Sequence, residues 1–234
     1  MMVPLLLPLK VPPQLVILDF DGVVADSELL SNTLWAEFLT AEGLATTPEQ
    51  SMARYMGRRH EDNMKRIADD FGRPLPSSFR DRMRTFTGDR MRNDVQAVPS
   101  VAAFLAANSA QRFCVASSSS LEWLDHGTEK FGLRPHLGRN LFSGSQVANG
   151  KPAPDIFLLA ASRMGVEPHH CAVIEDSPAG VQGAVAAGMT AIGFLGGAHI
   201  RDGHSAILEA AGAHALARSF GEVAGLLKLR QPHS

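Results

Sequence analysis

The chain has 234 residues, 45% of them hydrophobic and 20% charged, with a formal net charge of −2. That length supports a sizeable core in one large domain or two small ones. The near-neutral balance supplies no basic surface for nucleic acid or an anionic membrane, and Cys114 and Cys171, far apart and in no CxxC spacing, form no disulfide framework, which favours a reducing compartment.

The first residues, MMVPLLLPLKVPPQ, are apolar but lack a basic start. Pro4, Pro8 and Lys10 interrupt them and no small-residue cleavage site follows, so residues 1–13 read as an irregular lead-in rather than a secretory signal. No apolar run approaches the roughly 20 residues needed to span a bilayer. The expectation is a cytoplasmic protein with neither a membrane nor a nucleic-acid partner, and nothing in its composition speaks against a monomer.

Strand-like runs then recur at wide spacing, over 15–20, 112–116, 141–143, 172–174, 190–194 and 214–217. Helical patterns over 121–131, 155–164 and 179–187 separate them, with Gly188 as a stop for the last. Apolar strands alternating with helices predict an α/β fold, a Rossmann-like, doubly wound parallel sheet covered on both faces. Residues 30–95 break the rhythm. They hold helix-like stretches, among them 60–71 and 79–92, and Thr47-Pro48-Glu49 reads as an N-cap followed by proline at the first helical position. The expected organisation is an all-helical domain over 30–95 inserted into an α/β core of 14–29 and 96–234; long crossover helices within one domain are the alternative.

Within QLVILDFDGVVADSE, the first apolar run ends in Asp19 and Asp21, followed by Gly22. Side chains two apart on a strand share a face, so the two acids converge if the chain stays extended to Gly22. An isolated DxDG is more simply a turn. Three later segments change that: CAVIEDSPAG ends a strand in Glu175 and Asp176, RFCVASSSS ends another in Ser117 to Ser120, and NGKPAPD holds Lys151 in a loop stiffened by Pro152 and Pro154. In an open parallel sheet, ligands bind beyond the carboxyl ends of the strands, where these clusters meet. Four carboxylates there repel one another and call for a hard divalent cation. Oxygen donors without histidine or cysteine select magnesium over zinc. With Lys151 and the Ser117 hydroxyl, such a site suits a phosphate group, and Asp19 has the chemistry of a nucleophile.

These four segments, in this order, resemble the haloacid dehalogenase superfamily, in its branch of phosphatases and phosphomutases with a helical cap. The resemblance implies that Asp19 is the nucleophile and becomes an aspartyl phosphate. Asp21 then protonates the leaving oxygen and activates water. Ser117, Lys151 and the backbone around Ser118 hold the phosphoryl oxygens. Magnesium is held by Asp19, the Asp21 carbonyl and Asp176, with Glu175 in or beside the shell. The implied partner is a small-molecule phosphate ester. The same fold sets the strands bearing Ser117 and Glu175 on either side of the first strand, and so separates Cys114 from Cys171. An acid at Asp21 disfavours dehalogenation and phosphonate cleavage. Ser31 and His60 stand where phosphomutases of the β-phosphoglucomutase type carry a histidine and an arginine, so hydrolysis ranks above mutase chemistry. A silent phosphate-binding protein and a receiver domain are weaker alternatives. In the inserted domain Arg58, Arg59 and His60 are candidates for selecting the substrate, although a solvated helix start reads equally simply. Trp35 and Trp123 fit helix faces and read as packing residues, and His126 as a helix-surface histidine.

Overall fold

Leu15–Leu18, four buried apolar residues, form the central strand β1. In the computed structural model, which describes residues 11–55 and 60–232 and of His60 and Glu61 the backbone alone, the chain continues with α1 (Ser27–Ala41), α2 (Pro48–Tyr55), α3 (His60–Phe71) and α4 (Phe79–Asp94). Next come α5 (Val101–Ala107), β2 (Phe113–Ser117), α6 (Leu121–Lys130), α7 (Arg134–Leu137), β3 (Leu141–Ser143) and α8 (Asp155–Met164). The remainder is β4 (Cys171–Glu175), α9 (Pro178–Ala186), β5 (Thr190–Phe194), α10 (His204–Ala210), β6 (Ala215–Ala217) and α11 (Phe220–Leu227). Two compact units result: Asp26–Gln96, and the described residues of 11–25 and 97–232. The helical unit thus starts four residues before the expected 30–95 insertion and ends one residue after it.

In the α/β unit the described strands form one parallel sheet in the order β3-β2-β1-β4-β5-β6. The chain travels outward from β1 through β2 to β3, returns to the other side of β1 as β4, and travels outward again. Strand order therefore reverses between β1 and β4, and in such sheets the crevice beyond the strand ends opens at that point. Alternate residues serve opposite faces. Leu15, Ile17, Cys114 and Ala116 join Ile156 and Phe157 of α8 and Val181 and Ala184 of α9 in one core. On the other face Phe113 and Phe194 meet Phe104 of α5 and Phe220 of α11, the rings of adjoining pairs 5.0–5.5 Å apart. Gly188, at φ 73°, ends α9; its own amide donates to the Val185 carbonyl and that of Met189 to the Ala184 carbonyl.

β1 lies between the strands that carry the two cysteines, and both thiols are free and buried. Burial raises both, Cys171 to about 11, so neither is a thiolate at neutral pH.

The helical unit has its own core of Phe38, Leu39, Tyr55, Ile67, Phe79 and Met83. Thr47 caps α2 reciprocally with Gln50: the Gln50 amide donates to Thr47 Oγ1 at 3.2 Å, and the Thr47 amide to Gln50 Oε1 at 2.9 Å. A buried bond from Ser51 Oγ to Asn32 Oδ1, 3.0 Å, ties α2 to α1.

Candidate active site

β1 stops at Leu18, and Asp19 follows it beside the end of β4, its amide donating to the Ile174 carbonyl at 2.9 Å. Glu175 is the last residue of β4 and Asp176 the next. One oxygen from each of Asp19, Glu175 and Asp176 lies within 4.8 Å of the other two, and all three residues are buried. Lys151 joins them from the loop before α8: its Nζ donates to Asp19 Oδ1 at 2.6 Å and to Glu175 Oε1 at 2.7 Å. Its position is held by the Phe157 ring, 5.0 Å from the ammonium.

Local sequence makes room for this crowding. A β-carbon at Gly180 would lie 1.6 Å from Glu175 Oε1, so only glycine in the first turn of α9 lets the Glu175 carboxylate lie there. Ser177 caps that turn through Gly180, while its own amide donates to Glu175 Oε2 at 2.7 Å. Gly22, at φ 83°, meets a double requirement, since a β-carbon on it would lie 1.9 Å from Asp176 Oδ2.

Burial is the largest influence on Asp19 and pushes its carboxyl well above the usual carboxylate range; Lys151 opposes this, and Glu175 and Asp176 add to it. Burial alone would lower Lys151, but Asp19 and Glu175 outweigh it and hold the ammonium above the ordinary lysine value. Lys151 bridges two of three crowded acids, and an all-oxygen donor set of this compactness fits a hard divalent cation.

At the end of β2, Ser117 is buried and its Oγ accepts from the Ser119 amide at 3.3 Å, while Ser118 is exposed. Asp21 turns to this side. Its Oδ2 accepts from Ser119 Oγ at 2.5 Å and its Oδ1 from Trp123 Nε1 at 2.9 Å. The expectation of four converging carboxylates therefore needs correction to a cluster of three with Asp21 alongside. The strand ends before Asp19, so the two-residue periodicity no longer governs, and the Ser119 hydroxyl just before α6 and the Trp123 indole on it draw the Asp21 side chain toward β2. Trp123 packs edge-on to Phe20 and stacks on His126, as a helix-face tryptophan should, yet its indole N–H belongs to the site.

Two histidines enter from the segment after β5, His199 in the loop and His204 at the start of α10. His199 Nε2 lies 3.0 Å from Asp176 Oδ2, and His204 Nε2 lies 2.6 Å from the Asp176 carbonyl oxygen. The expectation of a site without histidine is thus corrected. Arg58 and Arg59 lie outside the described residues, as does the side chain of His60, which begins α3.

A family model for haloacid dehalogenase-like hydrolases matches residues 13–188, which contain all four motif segments. The chain belongs to this family. Among its relatives is a protein named "Probable pseudouridine-5'-phosphatase" from Drosophila melanogaster, 34% identical, the match covering 75% of this chain and 79% of that one. A fructose-1-phosphate phosphatase from Escherichia coli is 32% identical over 75% of this chain and 93% of its own. A haloacid dehalogenase family hydrolase from Deinococcus radiodurans, solved with bound phosphate and sodium, superposes with a TM-score of 0.81 at 29% identity, covering 94% and 97% of the two chains.

For a haloacid dehalogenase-like hydrolase, the residues that sequence reasoning passed over are the ones that hold the acids. Ser119 stands within the VASSSS run, where nothing local marks its hydroxyl as a donor to Asp21. Trp123 left no distinguishing signal, because its partner is 102 residues away. His199 and His204 did leave one: GGAHIRDGH follows a strand end at the same edge of the sheet as the other motifs.

Proposed function

We propose that this haloacid dehalogenase-like hydrolase is a magnesium-dependent phosphatase that cleaves a small phosphate monoester, a sugar phosphate or small acid phosphate, in the cytoplasm. The observation that carries the reading is the buried contact of Asp19 with Lys151, beside Glu175 and Asp176, at the strand-order reversal.

An Asp19 carboxylate oxygen attacks phosphorus; the new O–P bond forms as the ester O–P bond breaks, and Asp21 passes its proton to the leaving alcohol. Water then attacks the phosphorus of the aspartyl phosphate while Asp21 takes the water's proton, releasing phosphate and restoring the Asp19 carboxylate. Lys151 Nζ, Ser117 Oγ and the backbone near Ser118 bind the phosphoryl oxygens and fix its orientation. Ser119 and Trp123 keep the Asp21 carboxylate beside the crevice. Magnesium, when held by Asp19, Asp176 and the Asp21 carbonyl with Glu175 beside them, supplies charge neutralisation for the acids and the phosphoryl group. The names of the two relatives above specify phosphate monoesters of a nucleoside and a sugar, which supports the substrate class.

The test is phosphate release from a panel of sugar and small-acid phosphates, with magnesium and with chelator, for wild type and Asp19→Asn. Magnesium-dependent release that falls to background in Asp19→Asn is the expected result. Release unaffected by the substitution overturns the reading. So does efficient conversion of β-glucose 1-phosphate to glucose 6-phosphate, which would identify a mutase.

A further inference from the structure

We propose that His199 and His204 are positioning residues that clamp Asp176 for the divalent cation; the proposal rests on the reading above, in which Asp176 holds that cation. Neither histidine touches the reaction. Both act through the acid.

The loop joining β5 to α10 carries His199 and the first residue of α10 is His204; β5 adjoins β4, so this segment leaves the sheet next to Asp176. His199 is only 3% exposed. A carboxylate accepts and does not donate, so Nε2 of His199 carries the proton shared with Asp176 Oδ2 across 3.0 Å. A carbonyl oxygen also only accepts, which assigns the proton of the 2.6 Å contact to His204 Nε2. The loop and the first residue of α10 thus grip the same residue at its side chain and at its main chain. A carboxylate has about four lone-pair sites, so the bond from His199 leaves Asp176 free to take a cation while fixing its orientation.

The packing is built around the imidazole. A β-carbon at Gly22 would lie 2.9 Å from His199 Cε1, and one at Gly197 would lie 2.8 Å from the same ring and 2.9 Å from the Gly22 carbonyl oxygen. Two glycines on separate segments therefore permit the ring to sit against Asp176. A residue that merely filled space there would not require both main chains to close on it.

Removing such a partner of a metal ligand typically weakens metal affinity about 10–100-fold. The experiment is calorimetric titration of the chelator-stripped full chain with manganese as the probe ion, for wild type, Asp176→Asn, His199→Leu, His199→Gln and His204→Leu. His199→Leu should raise the dissociation constant roughly 10–100-fold, with an unchanged circular dichroism spectrum. His199→Gln, which keeps an N–H at a similar reach, should restore most of the affinity. The magnesium concentration giving half-maximal phosphate release should move in parallel, while the rate at saturating magnesium stays near that of wild type. Wild-type affinity in folded His199→Leu overturns the proposal. If that variant does not fold, His204→Leu decides: weakened binding supports the clamp, and wild-type binding overturns it. Wild-type binding by Asp176→Asn overturns the metal site itself, and so separates failure of the underlying reading from failure of the clamp alone.

Discussion

In the helical unit Arg82 bonds Glu42 at 2.7 and 2.8 Å with side chains 46% and 22% exposed, and Arg90 bonds Glu37 on the same exposed surface. At the ends of β1 and β4, Lys151 bonds Asp19 and Glu175 at nearly the same distances, but these three side chains are 1–9% exposed. The geometry is alike and the energetics are not. Exposed pairs contribute about 0–1 kcal/mol because water screens them and ordering the side chains costs entropy. Buried pairs carry a desolvation cost that often exceeds their attraction, so apolar residues there would serve stability as well or better. A fold that keeps three acids and a lysine buried together keeps them for binding and chemistry. The helical unit places its charges where they leave its apolar core undisturbed.

Breaking that contrast begins at Lys151. Lys151→Met leaves Asp19 and Glu175 buried without their ammonium and should destabilise the chelator-treated protein by about 3–5 kcal/mol, as read by urea unfolding. Added magnesium should recover part of the loss. An unchanged midpoint would mean that the buried acids do not depend on Lys151.

Trp123→Phe probes the other side of β1. It removes one hydrogen bond to the Asp21 carboxylate while keeping the ring that packs on Phe20. Bonds to charged groups are worth about 1.5–3 kcal/mol, so the thermal midpoint should fall modestly and the phosphate-release rate roughly 10–100-fold. A lowered midpoint with an unchanged rate would reduce Trp123 to a packing residue.

On the exposed side of the comparison, Arg82→Ala should cost less than about 1 kcal/mol and leave phosphate release unchanged. A loss several times larger would show that the helical unit depends on its surface ion pairs.

The smallest effect belongs to His214, at the amino end of β6, opposite the strand ends that hold the acids. Burial lowers its pKa, and the Ala191 amide donates to its Nδ1 at 3.0 Å, so the folded state favours the neutral ring. The unfolded chain therefore takes up the proton first as pH falls. The stabilisation is complete above the unfolded value near 6.5 and declines below it. Thermal midpoints should drop less between pH 7 and 5.5 in His214→Gln than in wild type; parallel curves would remove His214 from the acid response.

Much of this contrast was legible in the sequence, for definite reasons. LVIL, FCVAS and CAVIE are apolar runs that burial on both faces requires, and each leads into or ends in the polar residues Asp19, Ser117 or Glu175 that mark the carboxyl edge. Gly22 is legible as a turn residue after the two acids and Gly180 stands unremarked in CAVIEDSPAG; the reason for both, a carboxylate where a β-carbon would be, lies in the folded packing. The turn of Asp21 toward Trp123 was hidden because it depends on where β1 stops. α5 and α11 are not legible locally, because short apolar segments such as VAAFLAA carry no long period; their place is set by packing on Phe113 and Phe194. The pairing of Asp176 with His199 and His204 depends on β5 lying beside β4, a fact of topology that no local window contains.

The central claim is that Asp19 carries the phosphoryl group. The direct measurement is a single turnover with a ³²P-labelled monoester and magnesium, acid-quenched across the millisecond range and followed by peptide mapping. Transient label on the peptide containing Asp19, absent from Asp19→Asn, is the expected result. Label on another residue, or phosphate release with no labelled protein at any time, would contradict it.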